Sequence, residues 1–376
     1  MKIVVYAGDG GSGGLKGYIK GFLSAAHVIP YSSLFVICTE EYSEYIEHVK
    51  ASNINIIVDN SSKIRLKNLI LGNKLSASVI KTIEDIQPDI VYFMNSVIHK
   101  GCEQYKRVVG MHNQLYVDDA QLRRQKLSKT SISLYLQRYF ARKSMRIADA
   151  VVFDSNQSMQ QVKNIGINYK HGIVAYFGVE TVERLNRREK FQLSSPINLL
   201  YISTIFPYKN QIDLVHAMEI LVKRNYKVKL DLLGSGPKEY TDLLIEEIRK
   251  CSLENNIVLH SWVEHSRVRE FIDESDIFVY ASSIETSGFG LMEGMVRGAV
   301  IACNKESCMP EILGNGGLLM DIHSATETAD TIQRLIDDIN LRMSLSENAI
   351  SVSQKYSWEN HAGVINKEFE KILLSN

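Results

Sequence analysis

Glu285 and Glu293 flank the turn Thr286-Ser287-Gly288-Phe289-Gly290, with an apolar run, IFVYASS, just before it and a helix-like segment, LMEGMVRG, just after. Glycines there let peptide N–H groups approach an anion closely, and a helix start adds unpaired donors and a favourable dipole. Ionised carboxylates only accept hydrogen bonds, so they suit sugar hydroxyls better than phosphate oxygens. A phosphate-friendly turn bordered by hydroxyl-binding carboxylates reads as a sugar-nucleotide site. The plainer account of Glu293 is a helix-dipole preference of roughly 0.3–1 kcal/mol.

Three more loops carry usable groups. Lys209, in Phe206-Pro207-Tyr208-Lys209-Asn210, follows the run INLLYIS and can present a point charge to a diphosphate. His112 follows RVVGM and can bind a hydroxyl or shuttle a proton. The Gly8-to-Gly14 loop, with Gly11, Ser12, Gly13 and Gly14, lies between KIVVYA and LKGYIKGFLSAA. It matches neither GxGxxG with its downstream acid nor a Walker A sequence, so a ligand-free turn and a phosphate or acceptor contact fit it equally. His260 and His265 have no metal-ligand spacing with an acidic partner and read as structural. No Asp-x-Asp pair occurs. Metal-independent chemistry on a nucleotide sugar, with no cofactor, fits best.

The elements that would hold these loops are short apolar runs alternating with longer helix-like segments. They fall at 2–7, 34–38, 54–58, 89–94, 107–111 and 150–153, then at 197–203, 228–234, 257–260, 277–282 and 299–303. Runs of this length suit parallel strands covered on both faces by helical crossovers. Two such series predict an α/β protein of two doubly wound domains, parted between Val179 and Pro196, where a charged segment ends in Ser-Ser-Pro. Ligands of such sheets bind beyond the carboxyl ends of the strands, so the expected site is a cleft between two facing domains.

The 376 residues include 43 Lys+Arg and 43 Asp+Glu, so no whole-chain attraction to nucleic acid is expected. Five scattered cysteines with no CxxC argue against a disulfide framework and a structural zinc site. The N-terminal apolar run is too short for a signal peptide, and no stretch reaches the roughly 18–20 residues that cross a bilayer. The expected location is cytoplasmic, free or peripheral on the inner membrane.

Taken in order, these loops resemble the retaining glycosyltransferases of family 4, with the GT-B fold of two facing Rossmann-like domains. The likeness covers nearly the whole chain and is densest from Leu199 to Asp321. It rests on IFVYASSIETSGFGLMEGMVRGAVIAC, MPEIL, ADAVVFDSNQSMQQV, VAYFGVE, LDLLGSGP and KYSWENHAGVINKEFEKIL. It implies an acceptor-binding domain over 1–180, joined by a C-terminal helix at about 360–376, and a donor-binding domain over 190–358. It implies that Glu293 binds the ribose, that Glu285 approaches the transferred sugar, and that Phe289 and Gly290, beside Gly288, lie near the sugar and diphosphate. It further implies that Lys209 binds the diphosphate, that His112 touches the donor sugar, and that Val263 lies where the base is held. Two positions depart from the family. Thr204 stands five residues before Lys209, where an arginine is common, and Gly294 replaces an alanine. The implied chemistry is same-face attack by an acceptor hydroxyl as the nucleoside diphosphate leaves, so configuration is retained.

From 121 to 146 run eight basic residues and no acidic one, interleaved with Leu127, Leu134, Tyr135, Leu136, Tyr139 and Phe140. Such a stretch either lies on an anionic inner-membrane surface or packs its apolar side on the core. The first case points to a lipid-linked glycan acceptor in bacterial surface polysaccharide assembly (O-antigen, lipopolysaccharide or capsule). UDP- and GDP-sugars fit these loops equally. The alternatives are a glycosyltransferase or epimerase acting on a small soluble acceptor or on the nucleotide sugar itself, and a non-catalytic glycan-binding protein.

Overall fold

The computed structural model describes residues 1–8, 13–29, 33–47, 49, 52–62, 74–118, 129–180, 191–261 and 263–375. The chain divides into two compact units, Met1–Gly178 with Tyr356–Asn376, and Val179–Lys355.

The first unit is built on β1 (Lys2–Gly8), β2 (Ser33–Cys38), β3 (Ile54–Val58), β4 (Ile90–Phe93), β5 (Lys106–Met111), β6 (Ala150–Phe153) and β7 (Gly172–Val174). These form one parallel sheet in the order β3-β2-β1-β4-β5-β6-β7. The order reverses between β1 and β4, the signature of a doubly wound sheet. Its helices are α1 (Gly13–Ser24), α2 (Glu40–Ile46), α3 (Ala77–Ile86), α4 (Lys129–Ile147) and α5 (Asn156–Asn164). β4 and β6 are buried at every position, as a centrally covered parallel strand requires. β3 departs from that expectation. It is an edge strand, and Ile56 and Val58 reach solvent because no strand pairs beyond it among the described residues. Helix starts follow local chemistry, with Ser76 Oγ accepting from Val79 N at 3.2 Å and Ser155 Oγ from Ser158 N at 3.2 Å.

The second unit carries β8 (Ile197–Ile202), β9 (Val228–Leu233), β10 (Ile257–His260), β11 (Ile277–Tyr280), β12 (Ile301–Asn304) and β13 (Leu318–Met320). They form a parallel sheet in the order β10-β9-β8-β11-β12-β13, with its reversal between β8 and β11. Around it lie α6 (Gln211–Lys223), α7 (Lys238–Lys250), α8 (His265–Glu274), α9 (Phe289–Val296), α10 (Met309–Leu313), α11 (Ala325–Asp337) and α12 (Ile339–Ser353). β7 and β13 lie outside the apolar runs singled out in the sequence. Each has three residues at a sheet edge, too short for a period to register.

The last helix, α13 (Trp358–Leu374), belongs to the first unit. A side chain at Gly21 would collide with the Trp358 indole, and one at Gly178 with the backbone of Ser357 and Trp358, so two glycines admit this helix. His361 anchors it from within: Nδ1 lies 2.9 Å from the Tyr176 carbonyl and Nε2 lies 3.1 Å from Tyr18 Oη. A carbonyl can only accept, so Nδ1 carries the proton, Tyr18 donates to Nε2, and Tyr92 donates to Tyr18 at 2.8 Å.

Candidate functional site

In the second unit the switch between β8 and β11 is where ligands of a doubly wound sheet bind, and two expected residues meet there. β8 runs into a short turn, Pro207–Lys209, that ends on Asn210 in a left-handed conformation. Asn210 Nδ2 donates to Ala281 O and Ser283 Oγ, each at 2.7 Å, which ties this turn to the loop after β11. Lys209 Nζ then reaches Glu285 Oε1 at 2.5 Å, with the two side chains only 12% and 18% exposed. Tyr280 Oη donates to the same carboxylate oxygen at 3.0 Å. Burial, and after it the Glu285 charge, pushes the Tyr280 hydroxyl well above its ordinary pKa, so it stays a donor. Ser307 Oγ accepts from Glu285 N at 3.1 Å and donates to Glu285 O at 2.8 Å, which fixes the backbone as well. The lysine expected to meet a diphosphate is thus paired with the glutamate expected to meet a sugar.

The turn after Glu285 ends on Gly288, whose φ of 61° is left-handed and costs glycine nothing. Among the described residues no side chain caps α9, and the start of a helix offers peptide N–H groups that suit an anion. Phe289 and Gly290 open the helix and are half-buried. Glu293 sits one turn further on, half-buried, with its carboxyl pushed up to about 7. Burial is the main cause; Glu180 adds to it, while Arg269 and Arg297 oppose it. Arg269 is itself paired with Glu180, and Arg297 with Asp273 at 2.8 Å, so neither fully neutralises Glu293. Gly294 has a packing reason: a Cβ there would lie 3.0 Å from the Phe278 ring of β11. Val263, half-buried, lies between β10 and α8, and Thr204 is exposed after β8.

In the first unit, His112 immediately follows β5 and turns back over Gly110, where any Cβ would collide with the imidazole. Its Nδ1 lies 2.7 Å from Asp154 Oδ1, with side chains 6% and 0% exposed. Register explains the meeting, because Met111 pairs with Phe153 and the next residue of each strand is His112 or Asp154. Tyr18 packs on the ring at a centroid distance of 4.2 Å. Asp154 was not among the residues expected from sequence; its signal is the acid directly after AVVF, beside the strand that delivers His112. Gly11 and Ser12 lie outside the described residues. Gly13 and Gly14 open α1, and Gly14 has open space around its Cα.

The basic stretch is partly structural. Arg138 is buried and donates to Asp118 O at 3.0 Å and Leu115 O at 3.3 Å, and Arg142 Nε donates to Tyr116 O at 2.9 Å. Tyr135 and Tyr139 of the same helix are exposed. No helix among the described residues is long and apolar enough to cross a membrane. His260 is hydrogen-bonded to Asp231 at 2.8 Å. The five cysteines are free. His216, Glu247 and Cys251 lie close enough to share a cation, but on α6, on α7 and just past the end of α7 rather than in the loops after strands.

Residues 183–352 match the family model of the group 1 glycosyl transferases. O-antigen chain mannosyltransferase B of Escherichia coli is 25% identical over 173 residues, 46% of this chain and 45% of that protein. The chain thus spans about half the length of the curated relatives it matches first. Over the full length of both chains, the fold is similar to sucrose-phosphate synthase of Thermosynechococcus elongatus at a TM-score of 0.76 and 13% identity. Anabaena HepE, solved with UDP and glucose, matches at 0.72 and 17%, again over the whole of both chains.

Proposed function

We propose that this chain, whose residues 183–352 match the group 1 glycosyl transferases, moves a hexose-type sugar from a nucleoside diphosphate sugar to a glycan acceptor. The observation that carries this reading is the pairing of Lys209 with Glu285 at the switch point, next to the uncapped start of α9. The solved complex of HepE with UDP and glucose supports the class of donor.

In this mechanism the diphosphate draws Lys209 away from Glu285 and accepts hydrogen bonds from the first N–H groups of α9. Negative charge grows on the leaving phosphate as the glycosidic bond breaks, and donors already aimed there stabilise that change. Each such donor contributes roughly 2.7–4 kcal/mol in well-studied enzymes. The acceptor hydroxyl attacks the oxocarbenium-like sugar from the face the phosphate leaves and gives its proton to that phosphate. Configuration is retained, and neither a metal nor a protein base takes part. Glu293 holds the ribose hydroxyls, Phe289 and Gly290 border the sugar, Val263 borders the base, and His112 contacts the sugar.

The acceptor in this reading is a lipid-linked glycan of surface polysaccharide assembly, reached from the inner-membrane surface. The name of the E. coli relative supports the pathway, and exposed Tyr135 and Tyr139 beside the basic residues of α4 support the surface contact. The likeness to sucrose-phosphate synthase keeps a small soluble acceptor as the second reading. Incubating the protein with donor and each acceptor class separates the two.

The direct test is a thermal-shift series with UDP, GDP and their sugars. Ligand at 100 times Kd adds about 2.7 kcal/mol to native stability, a readily measured rise in Tm. One diphosphate series should raise Tm in the wild type and less in Glu293→Ala. A flat response to every nucleotide would overturn the donor site.

A further inference from the structure

The His112–Asp154 pair carries more than a contact. Among the described residues, neither His112 Nε2 nor Asp154 Oδ2 has a hydrogen-bond partner, although both atoms are buried. Leaving such groups unpaired in a protein interior is costly, and an orphan of this kind calls for an explanation. The rings against the imidazole, Tyr18 and Phe177, meet it with their π-systems. The polar contact that orients it is the 2.7 Å bond from Nδ1 to Asp154 Oδ1. Gly110 leaves room for the ring, since a Cβ there would collide with His112 Nε2. A carboxylate bonded to one imidazole nitrogen fixes which nitrogen holds the proton and which is left to act.

We propose that Asp154 is the positioning residue for His112. It accepts the Nδ1–H hydrogen bond and holds the imidazole in the tautomer whose Nε2 accepts a hydrogen bond from a hydroxyl of the sugar substrate. The choice of sugar as ligand rests on the glycosyl-transfer reading above; the tautomer rests on the geometry alone.

Asp154→Asn is the test, because a carboxamide keeps the shape but can offer Nδ1 a donor in place of an acceptor. In ¹⁵N-histidine spectra of the full chain, His112 should be Nδ1-protonated in the wild type and invert to Nε2-protonated in the variant. Turnover should fall about 100-fold, as for a substrate-positioning group displaced by about 1 Å, with KM for the donor within about threefold and Tm within about 2 °C. His112→Ala should lower kcat similarly, and adding Asp154→Asn to it should cost nothing further, since two residues acting as one unit are non-additive. Asp154→Glu should keep the tautomer and recover part of the rate.

An unchanged imidazole spectrum in Asp154→Asn would overturn the positioning role. So would rate losses that multiply in the double variant, which would assign Asp154 an effect of its own. Full activity in His112→Ala with the tautomer inversion intact would instead overturn the substrate contact, which belongs to the glycosyl-transfer reading.

Discussion

Lys209 Nζ stands 2.5 Å from Glu285 Oε1, which joins the turn after β8 to the loop after β11 across the switch in strand order. Both side chains are largely withdrawn from water, so removing one partner leaves the other charge buried and unpaired, and a diphosphate bound as proposed would compete for the ammonium group. Glu285→Gln should therefore bind the product nucleoside diphosphate more tightly, by about 3–10-fold, while kcat falls by about 100-fold. Calorimetric titration beside steady-state rates checks both. Nucleotide affinity that does not rise would mean the pair is no competitor for the phosphate.

Glu293 makes the stability of the fold sensitive to pH in a defined direction. Its carboxyl is raised from the ordinary 4.5 to about 7, so between those values the folded chain holds a proton that the unfolded chain has lost. Stability linked to this group is therefore full below about pH 4.5, declines as pH rises, and levels off above about 7. Glu293→Gln should match the wild type near pH 4.5 and be more stable at pH 8 by up to about 3 kcal/mol. Denaturant melts at the two pH values test this. Nucleotide affinity of the wild type should rise across the same window, because in the proposed site the ionised carboxylate accepts hydrogen bonds from ribose hydroxyls. A pH-independent difference between the two proteins would contradict the burial of this carboxyl.

His361 titrates the opposite way. Burial lowers its pKa to about 4, with the hydrogen bond to the Tyr176 carbonyl opposing that shift. The unfolded chain takes up a proton near 6.5 that the folded chain refuses, so stability is complete above about 6.5 and is lost as pH falls toward 4. His99, lowered to about 4 by burial, acts in the same window. Hydrogen exchange should report α13 and its contacts with α1 losing protection between pH 6.5 and 4 before β8–β13 do. His361→Gln, which can still bond Tyr18 and the Tyr176 carbonyl, should flatten the response of α13. Uniform loss of protection in both units would exclude this histidine as the trigger.

Gly294→Ala ought to gain about 1 kcal/mol if helix propensity alone decided. The Cβ would stand 3.0 Å from two carbons of the Phe278 ring, closer than that ring can accept without moving. The substitution should then bring no gain, or a loss of about 1 kcal/mol, from overpacking. Pairing it with Phe278→Leu should recover the propensity gain relative to Phe278→Leu alone. A stabilised single variant would show that the ring yields without cost.

The strand series, the turns that follow the strands and the chemical character of each loop were legible in the amino-acid order. They depend on local signals: apolar runs that end at Gly, Asn or Ser, and hydroxyl caps such as Ser76 and Ser155. The runs at 54–58, 150–153 and 257–260 coincide with β3, β6 and β10. What tertiary structure alone decided is which loop residues become partners. Lys209 and Glu285 are 76 positions apart, and His112 and Asp154 are 42 apart. They meet because β8 lies beside β11 and β5 beside β6. Strand order and register are settled by packing across the whole sheet, which no local pattern encodes. The same holds for Gly294, whose purpose becomes visible only against the ring of Phe278.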